Sequence, residues 1–144
     1  MSTNSRSGNA GVELAAIHPA VEAAVNNQDL DALMALYADD ASVVLLDGSL
    51  ATGHGAIREQ WAGILAMGTT MTLRSRFAIE VGELALLSNE WVLGVGEESM
   101  SAVTAEVAGR QPGGGWLYVI DHPFAGAEPD EIAALLAAVA AVTA

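Results

Sequence analysis

Two carboxylates stand where they could move a proton. Asp121 ends the run Trp116-Leu-Tyr-Val-Ile-Asp121. The two-residue period of a strand puts Leu117, Val119 and Asp121 on one face. A carboxylate at the end of such an apolar face can act as a general base or hold the polar end of a ligand. The competing reading is a structural hydrogen bond to a helix or loop. Glu106 lies in the stretch Ser101 to Gly109 and shares a face with Thr104 and Ala108. Val103, Ala105 and Val107 make the other face more apolar, so Glu106 points either inward or to solvent. If both acids point inward they form an acid–base pair, because neighbouring carboxylates do not ionise independently.

Aromatic residues supply the other candidates. Trp61, Trp91, Trp116 and Tyr118 could stack on a planar ligand or simply fill the core. Trp91 shares a face with Leu93 and Val95, which favours a pocket. The expected ligand wall is Trp91, Trp61, Leu45, Val43, Val119 and Tyr37. Trp116 and Tyr118 alternate with Asp121 and are expected at a dimer interface. His18, His54 and His122 show no His-x-x-x-His spacing, and the chain has no cysteine, so no metal site is expected. Gly53, Gly55 and the glycines at 113–115 form no phosphate-binding fingerprint, and no cofactor is expected.

These residues need elements to hold them. Leu14, Ile17, Val21, Ala24 and Val25 follow helical spacing, and Pro19 either kinks that helix or marks its start. Asp29 can cap a second helix whose buried face is Leu30, Leu33, Met34 and Tyr37, closed by Asp39 and Asp40. Ala41 to Leu46 reads as a strand, with a hairpin turn at Asp47-Gly48 and a short return strand from Leu50. Ala56 to Ala66 reads as a third helix with Ile57, Trp61, Ile64 and Leu65 inside. Strands follow at Met71 to Val81, Leu84 to Leu87, Glu90 to Val95 after a Ser88-Asn89 turn, Ser101 to Gly109, and Trp116 to Asp121. Pro129-Asp130-Glu131 opens a last helix with the stripe Ile132, Leu135, Leu136, Val139 and Val142. That helix is too short to stand alone in water, so it must dock on its own domain or a partner. Helices followed by antiparallel strands read as an α+β fold, a curved sheet wrapped over helices around a cavity.

The chain has 144 residues, enough for one core. The expected organisation is a disordered tail over residues 1–11, a domain over 12–124, and a linker with an alanine-rich helix over 125–144. Five arginines, no lysine and eighteen carboxylates give a net charge of −13. Such a surface repels phosphate backbones and anionic lipid, so neither nucleic acid nor membrane is an expected partner. The absence of cysteine and of a leader-like apolar stretch fits a cytoplasmic protein.

Three segments carry a family resemblance. Asp29-Leu-Asp-Ala-Leu-Met-Ala-Leu-Tyr-Ala-Asp-Asp-Ala-Ser-Val43 resembles the second helix and first strand of the NTF2-like superfamily. Thr52-Gly-His-Gly-Ala-Ile-Arg-Glu-Gln-Trp61 resembles its third-helix entry, where arginine often stands in place of His54. Arg110-Gln-Pro-Gly-Gly-Gly-Trp-Leu-Tyr-Val-Ile-Asp-His-Pro123 resembles the last hairpin of the SnoaL-like and DUF4440 branch. The likeness implies a cone-shaped fold with three N-terminal helices on a strongly curved, mostly antiparallel sheet, with the face of Asp121 lining the cavity. It also implies isomerase, cyclase or hydratase chemistry on a small apolar molecule, a non-catalytic ligand carrier, or a dimerisation module. A homodimer is expected. In the ketosteroid isomerases of this superfamily, the catalytic aspartate would fall at Leu45, the oxyanion-hole tyrosine at Val21 and the protonated acid at Glu106. Leucine and valine can fill neither role, so that mechanism is excluded here.

Overall fold

Pro19 marks where the first helix begins. A short 3₁₀ turn, Leu14–Ala16, leads into α1, Ile17–Asn26. Pro19 therefore lies in the first turn, where its missing N–H costs no helical hydrogen bond. Ile17, Val21, Ala24 and Val25 bury the expected face, and His18 is buried with them. The computed structural model describes residues 11–143. Most of the expected tail, residues 1–10, lies outside the described residues. Gly11 is seated against the backbone of Trp116, and Val12 bridges to the same residue.

Asp29 caps α2, Leu30–Met34, by accepting the Ala32 N–H at 3.0 Å. The helix stops before Tyr37, against expectation. Tyr118 donates its N–H to the Leu36 carbonyl at 2.8 Å, and this draws the chain into the sheet. Tyr37 thus opens β1, Tyr37–Val44, which carries Asp39 and Asp40 as strand residues. The Asp47-Gly48 turn leads to β2, Leu50–Thr52, and then to α3, His54–Ala66. Gly48, at φ +86°, supplies the left-handed residue the turn needs.

The remaining strands are β3 (Thr70–Val81), β4 (Leu84–Val95), β5 (Glu98–Val103), β6 (Ala105–Arg110) and β7 (Trp116–His122). They form a seven-stranded sheet in the order β2-β1-β7-β6-β4-β3, with β5 also paired to β4. Among the described strands only β1 and β7 run parallel. Where a turn was expected at Ser88-Asn89, β4 runs on unbroken and the sheet bends instead. On one side Arg76 forms a bulge in β3. On the other, β5 and β6 part at Thr104, whose N–H donates to the Asn89 carbonyl and whose hydroxyl accepts the Asn89 N–H. A bulge beside a strand break lets a sheet curl. Helices α1 to α3 lie in its concave side.

The inner face of β4 carries Ala85, Leu87, Asn89, Trp91 and Leu93, in step with Glu106 and Ala108 of β6. The outer face is also apolar. Ile79, Leu86, Val107 and Ile120 stand in one cross-strand row, and all but Val107 are about half exposed. After β7, Gly126 donates to the Val103 carbonyl at 3.0 Å. This ties down the linker to α4, Pro129–Thr143. No helix among the described residues is long and apolar enough to cross a membrane.

Candidate functional site

The concave side encloses a cavity of about 360 Å³. Its wall is largely apolar, with Val21 from α1, Ile64 from α3, Leu73 from β3 and Leu93 from β4. Asp121, Glu106, Asn89 and the Tyr37 hydroxyl bring polar groups to this apolar wall. A few convergent polar groups in an apolar cleft are the usual make-up of a small-molecule site.

Strand pairing brings the two acids together. Glu106 and Asp121 are direct Cα partners across β6 and β7. Glu106 points inward and is 2% exposed; Asp121 is 8% exposed. The Tyr37 hydroxyl donates to Asp121 Oδ2 at 2.7 Å and accepts from Trp61 Nε1 at 3.2 Å. Glu106 is held by His18 Nε2 on Oε1 at 2.9 Å and by Asn89 Nδ2 on Oε2 at 3.0 Å. The other ring nitrogen of His18 meets Ser75 Oγ at 2.7 Å.

Burial pushes the Asp121 carboxyl up to about 7, and the charge of Glu106 adds to the rise. The Tyr37 hydrogen bond acts in the opposite sense, because it favours the ionised carboxylate. Burial also drives the Tyr37 and Tyr118 phenols well above their ordinary range, Tyr37 further through Asp121. Both phenols are therefore neutral donors at physiological pH. Asp121 is poised to give or take a proton near neutrality, where acid–base catalysis is most effective.

Six of the eight residues expected at the site line the cavity: Asp121, Glu106, Trp91, Trp61, Val43 and Tyr37. Leu45 and Val119 do not. Leu45 lies beyond the end of β1 in the hairpin, where its N–H donates to the Ser49 carbonyl, and Val44 and Leu46 reach the wall instead. Val119 is the extra residue of a bulge: Val107 pairs with Ile120 and Ala108 with Tyr118. The bulge shifts the alternation by one, so Tyr118 shares the cavity with Asp121. Tyr118 and Trp116, expected at a dimer interface, are both buried within the chain.

Some wall residues escaped the sequence reading. Asn89, expected in a turn, lies within β4 and lines the wall. His18, known only as an isolated histidine, proves to be a hydrogen-bond partner of Glu106. Leu135 of α4 closes part of the cavity and is buried there. Its place in an apolar helical stripe was the available signal. Trp91 lines the wall and also anchors the linker, donating from Nε1 to the Pro123 carbonyl at 2.7 Å. Among the described residues, no three His, Asp or Glu side chains cluster as metal ligands.

The fold is shared with solved structures. An NTF2-like protein of unknown function from Shewanella oneidensis superposes with a TM-score of 0.65 at 16% identity, over 76% of this chain and 93% of that one. A dehydratase candidate of the NTF2-like family from Streptomyces avermitilis gives 0.65 at 18% identity, over 76% and 92%. A ketosteroid isomerase-like protein from Erwinia carotovora gives 0.63 at 16% identity, over 76% and 90%. A search of the curated proteins by sequence finds no match. The sequence profile of the SnoaL-like domain matches residues 20–122, a span that runs from α1 through β7 and holds Tyr37, Glu106 and Asp121. With that span matched, the chain belongs to the SnoaL-like domain family.

Proposed function

We propose that this protein is a cofactor-independent acid–base enzyme for a small, largely apolar molecule, with isomerase, cyclase or hydratase chemistry. The observation that carries this reading is Asp121, a buried carboxyl pushed up to about 7 on the wall of an apolar cavity. In its ionised form Asp121 takes a proton from the substrate. Tyr37 holds Oδ2, so Oδ1 receives that proton and returns it at a second position. Glu106 is a neighbouring charge rather than a second base. Val21 offers no donor, so this chemistry is not that of an ordinary ketosteroid isomerase.

The second reading is a non-catalytic carrier using the same cavity. It is favoured by the same apolar wall and by the engagement of the Tyr37 hydroxyl and the Asn89 amide with the two acids themselves. The experiment that separates them is turnover of candidate polyketide-like or terpenoid-like compounds, followed by NMR, with wild type and Asp121→Asn side by side. Product formed by wild type and lost in the variant supports the enzyme. Saturable binding without product supports the carrier. Unchanged turnover in Asp121→Asn would remove Asp121 from the mechanism.

We further propose a cytoplasmic homodimer paired through the outer sheet face. The support is the row Ile79, Leu86, Val107 and Ile120, too apolar for a face left to water. The acidic surface leaves neither nucleic acid nor membrane as a partner in this reading.

A further inference from the structure

Two carboxyl groups face one cavity, but their surroundings differ. Both oxygens of Glu106 accept hydrogen bonds, one from the His18 imidazole and one from the Asn89 amide. Asp121 has a single phenol on Oδ2. An ionised carboxylate is acceptor-only, so it suits two donors, and a charge-assisted bond to imidazole is stronger than a neutral one. We propose that His18 is a positioning residue: it keeps Glu106 as the ionised member of the pair, so that Asp121 carries the exchangeable proton.

The geometry around His18 supports this assignment. His18 is 3% exposed, yet its Nδ1 meets the hydroxyl of Ser75, which is exposed. A hydroxyl can donate to a neutral imidazole or accept from a protonated one. The Ser75 contact therefore persists in either form of the ring, with Nε2–H aimed at Glu106 throughout. The chain Ser75–His18–Glu106 also links the cavity wall to an exposed residue of β3. The charge of Glu106 then faces Asp121 across the β6–β7 pair and favours the neutral form of Asp121. The other titratable groups on the wall are Tyr37, Tyr118 and Glu59. The two phenols stay neutral, and Glu59 is exposed on α3. His54 binds the Tyr37 carbonyl, and His122 follows Asp121 in the chain. Among the described residues, the two acids take their side-chain hydrogen bonds from His18, Asn89 and Tyr37 instead.

This assignment deepens the reading of Asp121 as the acid–base group, but it can be tested without substrate. Carboxyl ¹³C signals of Asp121 and Glu106 are followed from pH 4.5 to 9 (a range set by ordinary carboxylate and histidine titrations, roughly). In wild type, the Asp121 signal moves on acidification while Glu106 stays in its ionised position. Glu106→Gln lowers the Asp121 midpoint by about one unit or more, since a like charge is removed. In His18→Gln, the proton is divided, and both signals move over one pH range. A purely structural histidine would change the melting temperature and leave the order of protonation intact.

The wild-type arm needs no variant, so it can overturn the assignment even if His18→Gln fails to fold. If Glu106 takes the proton first, or the two move together in wild type, the assignment is overturned. If the wild-type order holds and Asp121→Asn still turns over substrate, the enzymatic reading fails and the proton assignment stands.

Discussion

Glu106 and Asp121 face each other as Cα partners on adjacent strands, and both side chains reach the same cavity. Antiparallel pairing places directly opposed side chains on one face, within range to interact. Two acids in that relation cannot ionise independently, and burial sharpens the effect.

Asp121 makes stability depend on pH in a particular sense. Its folded-state value is raised to about 7, against an ordinary value near 3.8. Between those two values the folded state binds more protons than the unfolded state, so stability falls as pH rises and levels off above about 7. The loss is on the order of a few kcal/mol. Asp121→Asn should remove that slope. Urea unfolding at pH 5 and pH 8 should show the variant gaining on wild type at the higher pH.

Tyr37 is the brake on that shift. Its hydroxyl favours the ionised form of Asp121. Tyr37→Phe should raise the Asp121 midpoint further and move the acidic limb of activity, set by loss of the ionised base, to higher pH. It also takes the acceptor from Trp61 Nε1, at a cost of about 1–3 kcal/mol. A ¹³C titration reads the first effect and chemical unfolding the second.

Leu135 should control access to the cavity. Leu135→Trp should fill the space α4 covers and weaken binding of a neutral apolar dye such as Nile red roughly tenfold or more, since cavity volume and apolar wall carry such binding. Leu135→Ala should leave dye binding intact and speed it. Stopped-flow fluorescence checks both.

Gly11 is fixed by space as well as by backbone. At φ +83° a Cβ would lie 2.6 Å from the Trp116 nitrogen. Gly11→Ala should cost roughly 1–3 kcal/mol through strain, read as a lower urea midpoint. Gly48→Ala shares the positive φ but meets nothing within 4 Å, so it should cost less.

The outer row predicts an assembly. Native mass spectrometry should show a dimer, and Ile120→Glu should convert it to a monomer while the fold is kept. A wild-type monomer at micromolar concentration would contradict the proposed pairing.

The sequence revealed the elements better than their joints. Asp29 and Asp47-Gly48 announced themselves by local chemistry, and the structure uses both as read. Asp121 stood out because a charge ends an apolar strand. The errors came from long-range pairing. Tyr37 looked helical because its spacing matched Leu30 and Leu33, and only β7 draws it into a strand. Val119 looked inward because a bulge leaves no mark on a two-residue pattern. Glu106 was ambiguous because both faces of β6 are apolar, one for the cavity and one for the outer row. His18 carried no local signal, since its partner lies 88 positions away.

The measurement that bears most directly on the account is the carboxyl ¹³C titration of Asp121 in the wild-type protein. The account predicts a midpoint near 7, well above an ordinary aspartate, and a fall toward the ordinary range in Glu106→Gln. A midpoint near 4 (about the value of an aspartate in water) would mean that Asp121 is a solvated carboxylate, and it would contradict an acid–base role in an apolar cavity.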